Sequence, residues 1–119
     1  MIEKNRGFTR LYKSVYYSYK GFRACFFNEA AFRQEVISAL VLIPLAFWLP
    51  VTDMERVAMI TVVVLVLIVE LLNSGIEAVV DRIGYEKHEL AGRAKDMGSA
   101  AVLISLILWA YVWGSILFL

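Results

Sequence analysis

The sequence predicts an all-α integral-membrane protein, with an N-terminal amphipathic surface helix followed by three transmembrane helices. Of its 119 residues, 61% are hydrophobic, and the mean hydropathy is +0.68. A soluble domain of this length buries only about two-thirds of its surface, too little to hide so much apolar side chain. The apolar residues gather into three runs, and Lys and Arg are distributed across those runs very unevenly. The length fits one domain, 1–119.

The first element covers about residues 1–34. Phe8, Tyr12, Val15, Tyr19, Phe22 and Phe26 recur at alternating steps of four and three, and Arg6, Arg10, Lys13, Lys20 and Arg23 take the opposite face. This is the pattern of a basic helix lying in the headgroup plane; an ordinary surface helix of a soluble domain would show it too. Nothing in this stretch has the short apolar core and small-residue cleavage site of a signal peptide. The three apolar runs predict spans at about 35–52, 56–82 and 96–119, each near the roughly 20 residues a bilayer requires. The second qualifies only if Glu70 and Glu77 face protein. Pro44 is expected to kink the first span, the short Pro50–Asp53 link makes spans one and two a tight hairpin, and Asp53 is the expected N-cap of the second. Residues 83–95 are the expected polar loop. Cys25 is the only cysteine, so no intrachain disulfide can form.

Topology follows from the cations. Seven Lys and Arg precede the first span, four lie between spans two and three, and Arg56 alone marks the other side. The N-terminus and the 83–95 loop are expected in the cytoplasm and the C-terminus outside.

Function is best sought in Glu70-x-x-Asn73-Ser74-x-x-Glu77, whose named positions share one helical face. A charge at mid-bilayer costs roughly 2.5–3.5 kcal/mol or more, so two carboxylates and an amide on one stripe imply use. Glu77 lies about 10 Å along the axis from Glu70, nearer the cytoplasm. Glu29 and Glu35 flank the start of the first span and approach the depth of Glu77. Two such carboxylates can hold a hard cation such as Mg²⁺; a solvated helix end accounts for Glu77 equally well. The Lys and Arg of the loop can bind phosphates or simply enforce topology. His88, the sole histidine, reads by default as a surface side chain, and Lys95-Asp96 stands open between both readings. Gly92 and Gly98 suit either close helix approach or helix caps. No P-loop, kinase glycine loop or metalloprotease helix is present. Phosphoryl transfer needs none of these, only in-line positioning, charge neutralisation and a base.

Three segments in register narrow the choice: Asn28-Glu29-Ala30-Ala31-Phe32-Arg33-Gln34-Glu35, then Glu70 through Arg82, then Ala94-Lys95-Asp96-Met97-Gly98-Ser99-Ala100-Ala101. Together they resemble the bacterial integral-membrane diacylglycerol kinase family from Gly7 to the third span, with Gly75 where that family commonly has Ala. The resemblance implies an ATP- and Mg²⁺-dependent lipid kinase of the inner membrane. It also implies a homotrimeric bundle whose active sites are shared between subunits. Carried over residue by residue, it makes Glu70 the general base and Glu29 and Glu77 the metal ligands that hold ATP. Arg10, Tyr17, Glu86, His88, Lys95 and Asp96 become nucleotide contacts. Arg10, Arg23, Ala31, Phe32, Arg33, Gln34, Glu35, Trp48, Arg56, Glu70 and Ser99 border the lipid substrate, and Asn73 and Ser99 lie near the reacting groups. No nucleic-acid partner is implied. An undecaprenol kinase is the nearest alternative. A small proton-coupled multidrug transporter using Glu70 and a non-catalytic assembly subunit are alternatives of other classes.

Overall fold

In the computed structural model, which describes residues 7–83 and 89–119, the chain forms four helices. They are α1 (Gly7–Asn28), α2 (Ala30–Trp48), α3 (Asp53–Ile83) and α4 (Glu89–Phe118). α2, α3 and α4 are long and apolar enough to cross a membrane. At 1.5 Å per residue, α3 and α4 measure about 45 Å against a hydrocarbon core of about 30 Å. Their surplus carries the charged ends, including Glu77, Asp81 and Lys95.

The surface helix ends earlier than its composition suggests. The break falls at Glu29, whose backbone is extended (φ −121°, ψ 112°), and residues 30–34 already belong to α2. Chain continuity is kept by the Glu29 amide on the Cys25 carbonyl at 2.9 Å and the Arg33 amide on the Glu29 carbonyl at 3.1 Å. Arg33 Nη1 reaches back to the Phe26 carbonyl at 2.8 Å, and Phe22 meets fully buried Phe32 edge-on at 5.1 Å. An apolar pair and one guanidinium thus fix the elbow, and Glu29 needs no side-chain capping bond of its own. Much of α1 is exposed, Phe8 at 90% and Tyr12 at 73%, as befits a helix meant to meet a headgroup layer.

α2 runs through Pro44 as one helix. The hairpin that follows corrects the expected cap. Thr52, not Asp53, is the N-cap: its amide donates to Glu55 Oε1 at 2.9 Å, and the Glu55 amide donates to Thr52 Oγ1 at 3.1 Å. This reciprocal pair is a capping box, and Asp53 instead accepts from Arg56 at 3.1 Å. Below it a core of Ala39, Ala46, Met59, Val62, Val63 and Trp113 joins α2, α3 and α4, and the Trp113 indole donates to the Met59 carbonyl at 3.0 Å. Of the expected 83–95 loop, Ile83 ends α3 and Glu89–Lys95 form the first turns of α4.

Candidate active site

α3 supplies the stripe. Glu70 is buried, 5% exposed, and the charges that act on it are carboxylates, Glu35 first, then Glu77 and Glu29. The elbow thus carries Glu29 and Glu35 into electrostatic reach of Glu70, where the sequence places them only at the depth of Glu77. Glu77 accepts a hydrogen bond from Asn73 Nδ2 at 3.3 Å. Asn73 Oδ1 is buried and accepts no hydrogen bond among the described residues.

The faces of α3 divide the surroundings. Leu71, Ser74, Gly75 and Ala78 turn toward α1 and line a cleft of about 750 Å³, with Phe22, Cys25 and Glu29 across from them. That volume is in the range of small-molecule sites. Asn73 faces α4 at Gly98, and Glu70 and Glu77 lie between the two sides by helical phase. Cys25 Sγ donates to Ser74 Oγ at 3.3 Å across the cleft. Burial raises the Cys25 pKa most; the Ser74 bond opposes this, and the charges of Glu29 and Glu70 reinforce it.

Among the described residues no three His, Cys, Asp or Glu side chains converge to enclose a metal. Mg²⁺ does not need such a cage. It is commonly held by one or two carboxylates plus substrate phosphates and water. Glu29, free of a capping role, and Glu77, with one oxygen held by Asn73, fit that donor set.

Other expected residues are scattered. Arg10 and Tyr17 share a groove of about 480 Å³ on α1 with Lys13, and Tyr17 is 12 residues, about 18 Å of helix, from Glu29. Arg23 stacks on Phe27 at 5.0 Å. Ala31, Gln34, Asp96 and Ser99 are exposed, and Arg33 is engaged at the elbow. Phe32 is fully buried, so within one chain it supports the elbow and meets no lipid. Trp48 is exposed at the far end of α2. Arg56, about 21 Å along α3 from Glu70, donates to the carbonyls of Ala46, Leu49 and Val51 at 2.9, 3.2 and 3.3 Å. Glu86 and His88 lie outside the described residues. Sequence reasoning missed Asp81, which binds Lys95 Nζ at 2.8 Å and ties α3 to α4. The signal was there, since Asp81 continues the 70–74–77 stripe by one more turn. Of the two glycines considered for close approach, Gly98 provides it and Gly92 does not.

The prokaryotic diacylglycerol kinase family matches residues 16–117. The chain is 58% identical to a diacylglycerol kinase of Escherichia coli strain K12 over 113 residues, 95% of this chain and 93% of that protein. It is 54% identical to a diacylglycerol kinase of Haemophilus influenzae over 115 residues, 97% and 98% of the two chains. With one from Pseudomonas aeruginosa it shares 52% identity over 111 residues, 93% and 90% of the two.

Proposed function

This chain belongs to the prokaryotic diacylglycerol kinase family, and we propose that it transfers the γ-phosphoryl group of ATP to the free hydroxyl of diacylglycerol in the bacterial inner membrane. The products are phosphatidic acid and ADP. Glu70 takes the hydroxyl proton as the lipid oxygen forms its bond to the γ-phosphorus and the bond to the β-phosphate oxygen breaks. Its burial on the α3 stripe puts a base where a membrane-embedded alcohol can present itself. Glu29 and Glu77 would hold Mg²⁺ with the nucleotide, where the cation would supply neutralisation of the phosphates that the neighbouring carboxylates repel. Arg10, Tyr17, Glu86, His88, Lys95 and Asp96 contact the nucleotide, and the lipid is bordered by Ala31, Gln34, Glu35, Arg23, Trp48 and Ser99, while buried Phe32 and the turn-bound Arg56 hold the fold around it.

The observation that carries this reading is the buried Glu70 on the α3 stripe, within electrostatic reach of Glu35, Glu77 and Glu29. Such a concentration of negative charge calls for a cation. The distance along α1 from Glu29 to Arg10 and Tyr17 favours completion of each site by a second subunit, in a homotrimer with the N-terminus cytoplasmic and the C-terminus outside. The transporter and assembly-subunit alternatives give way to the family assignment. The test is phosphate transfer by purified protein in micelles with labelled ATP and Mg²⁺, diacylglycerol beside undecaprenol. Label is expected in phosphatidic acid. Faster labelling of undecaprenol would replace the substrate, and label in neither lipid would end the kinase reading.

A further inference from the structure

We infer that Gly98 is a positioning residue for the Glu77 carboxylate: its bare Cα admits the Asn73 amide, and that placement sets the hydrogen bond that orients Glu77. The inference rests on the proposed role of Glu77 as a metal ligand.

Gly98 is buried where α4 packs on α3. A Cβ built there would fall on Asn73 Oδ1, within 3.1 Å of its Cγ. Cβ atoms built on Gly21, Gly75, Gly92 and Gly114 meet nothing within 4 Å, so among these helical glycines the requirement is specific to Gly98. Among the described residues Asn73 Oδ1 is buried without a hydrogen-bond donor, packed against the bare backbone of Gly98. The opposite end of the same amide donates to Glu77 Oε2 at 3.3 Å. The two ends of the amide are not interchangeable. Turned over, its oxygen would face the Glu77 carboxylate and its N–H₂ would face carbon.

The amide is thus held between a gap in α4 and a carboxylate on α3. With Glu77 Oε2 occupied, Oε1 is the oxygen left for a cation. An alanine at 98 would push the amide aside and release Glu77 to other rotamers. Alanine has the higher helix propensity, so a loss caused by Gly98→Ala would come from this contact and not from a weakened helix. Partners that orient metal ligands typically change metal affinity or activity by about 10–100-fold when removed.

The experiment is a Mn²⁺ titration followed by electron paramagnetic resonance, with a non-hydrolysable ATP analogue and full-length protein in micelles. Gly98→Ala and Asn73→Ala are each expected to weaken Mn²⁺ binding by about 10-fold. The double variant is expected to bind no more weakly than either single one, because both changes act through one amide. Gly92→Ala, which meets open space, should match wild type. Gly98→Ala binding like wild type, or single losses that multiply in the double variant, would overturn the inference. If Gly98→Ala does not fold, the double variant, which lacks the obstructing amide, is expected to fold; its failure as well would mean that Gly98 serves packing alone. Glu77→Gln in the same series separates the two claims. If it binds Mn²⁺ normally, the metal-ligand reading fails and the inference with it. If it binds weakly while Gly98→Ala does not, only the inference fails.

Discussion

At the Pro50 end of the α2–α3 hairpin the polar groups of the turn bind one another, whereas about 20 Å along α3 carboxylates lie within electrostatic reach of one another beside an amide whose oxygen accepts no hydrogen bond among the described residues. Arg56 satisfies three carbonyls and Asp53, Thr52 and Glu55 cap each other's amides, and the Trp113 indole finds the Met59 carbonyl. Around Glu70 and Glu77, among the described residues, the Glu29 side chain makes no capping bond, Asn73 Oδ1 accepts no hydrogen bond, and the neighbouring carboxylates act on Glu70 as like charges. Among the described residues the buried side-chain atoms without a partner are Asn73 Oδ1 here and Trp109 Nε1 beside the hairpin-side core, so what sets this end apart is its carboxylates, whose mutual repulsion a bound cation would relieve. One end holds the hairpin together, and the other is open to chemistry.

The sharpest way to break this contrast is at the carboxylates. Glu70→Gln keeps shape and hydrogen bonding but cannot take the lipid hydroxyl proton. It is expected to lose turnover by at least ~10²-fold with nucleotide binding intact. Glu77→Gln is expected instead to weaken Mg²⁺-nucleotide binding by ~10-fold or more. Titration and phosphate transfer measured on both variants decide the matter. Near wild-type turnover in Glu70→Gln, or normal binding in Glu77→Gln, would refute the division of labour.

The hairpin end should respond in stability and not in catalysis. Arg56→Met strips three carbonyls of a charged donor and is expected to destabilise by about 2–3 kcal/mol. Thr52→Ala removes half a capping box and is expected to cost about 1 kcal/mol. Denaturant unfolding in mixed micelles measures both. Nucleotide affinity should be unchanged in each. An Arg56→Met variant that keeps its stability but needs far more diacylglycerol would assign this residue to the lipid instead of the turn.

What the sequence disclosed follows from the range over which each signal acts. Three spans, the Glu70–Glu77 stripe and the hairpin depend on local periodicity and length, and all are present in the fold. The elbow at Glu29 was harder to place, because apolar character continues through Ala30, Ala31 and Phe32 while the backbone changes direction. That turn is fixed by contacts across it, Phe22 with Phe32 and Arg33 with the Phe26 carbonyl, and no window of composition contains it. Asp53 and Thr52 are both good N-caps by type, and only Glu55, three residues after Thr52, distinguishes them as the partner of a capping box. The Asp81–Lys95 pair and the Gly98–Asn73 contact join separate helices, so periodicity within one helix could not reveal them.

The smallest expected effect concerns Cys25, which faces the open end from α1. Burial is the main cause that raises its pKa, the Ser74 hydrogen bond opposes it, and the negative charges of Glu29 and Glu70 add to the rise. The thiol should therefore stay protonated in the folded protein where a free cysteine, with a pKa of about 8.5, has begun to ionise. The sign for stability follows from proton counting. Between the two values the folded state binds more protons than the unfolded one, so stability falls as pH rises. The contribution is whole below about pH 8.5 and is lost as pH climbs through the higher folded-state value. Iodoacetamide should accordingly label Cys25 more slowly than free cysteine at pH 8.5, and Cys25→Ala should flatten the alkaline loss of stability while leaving the neutral-pH hairpin untouched. Access and ionisation both limit labelling, so the rate must be followed across pH: a midpoint at or below that of free cysteine would show that neither burial nor the carboxylates hold this thiol protonated.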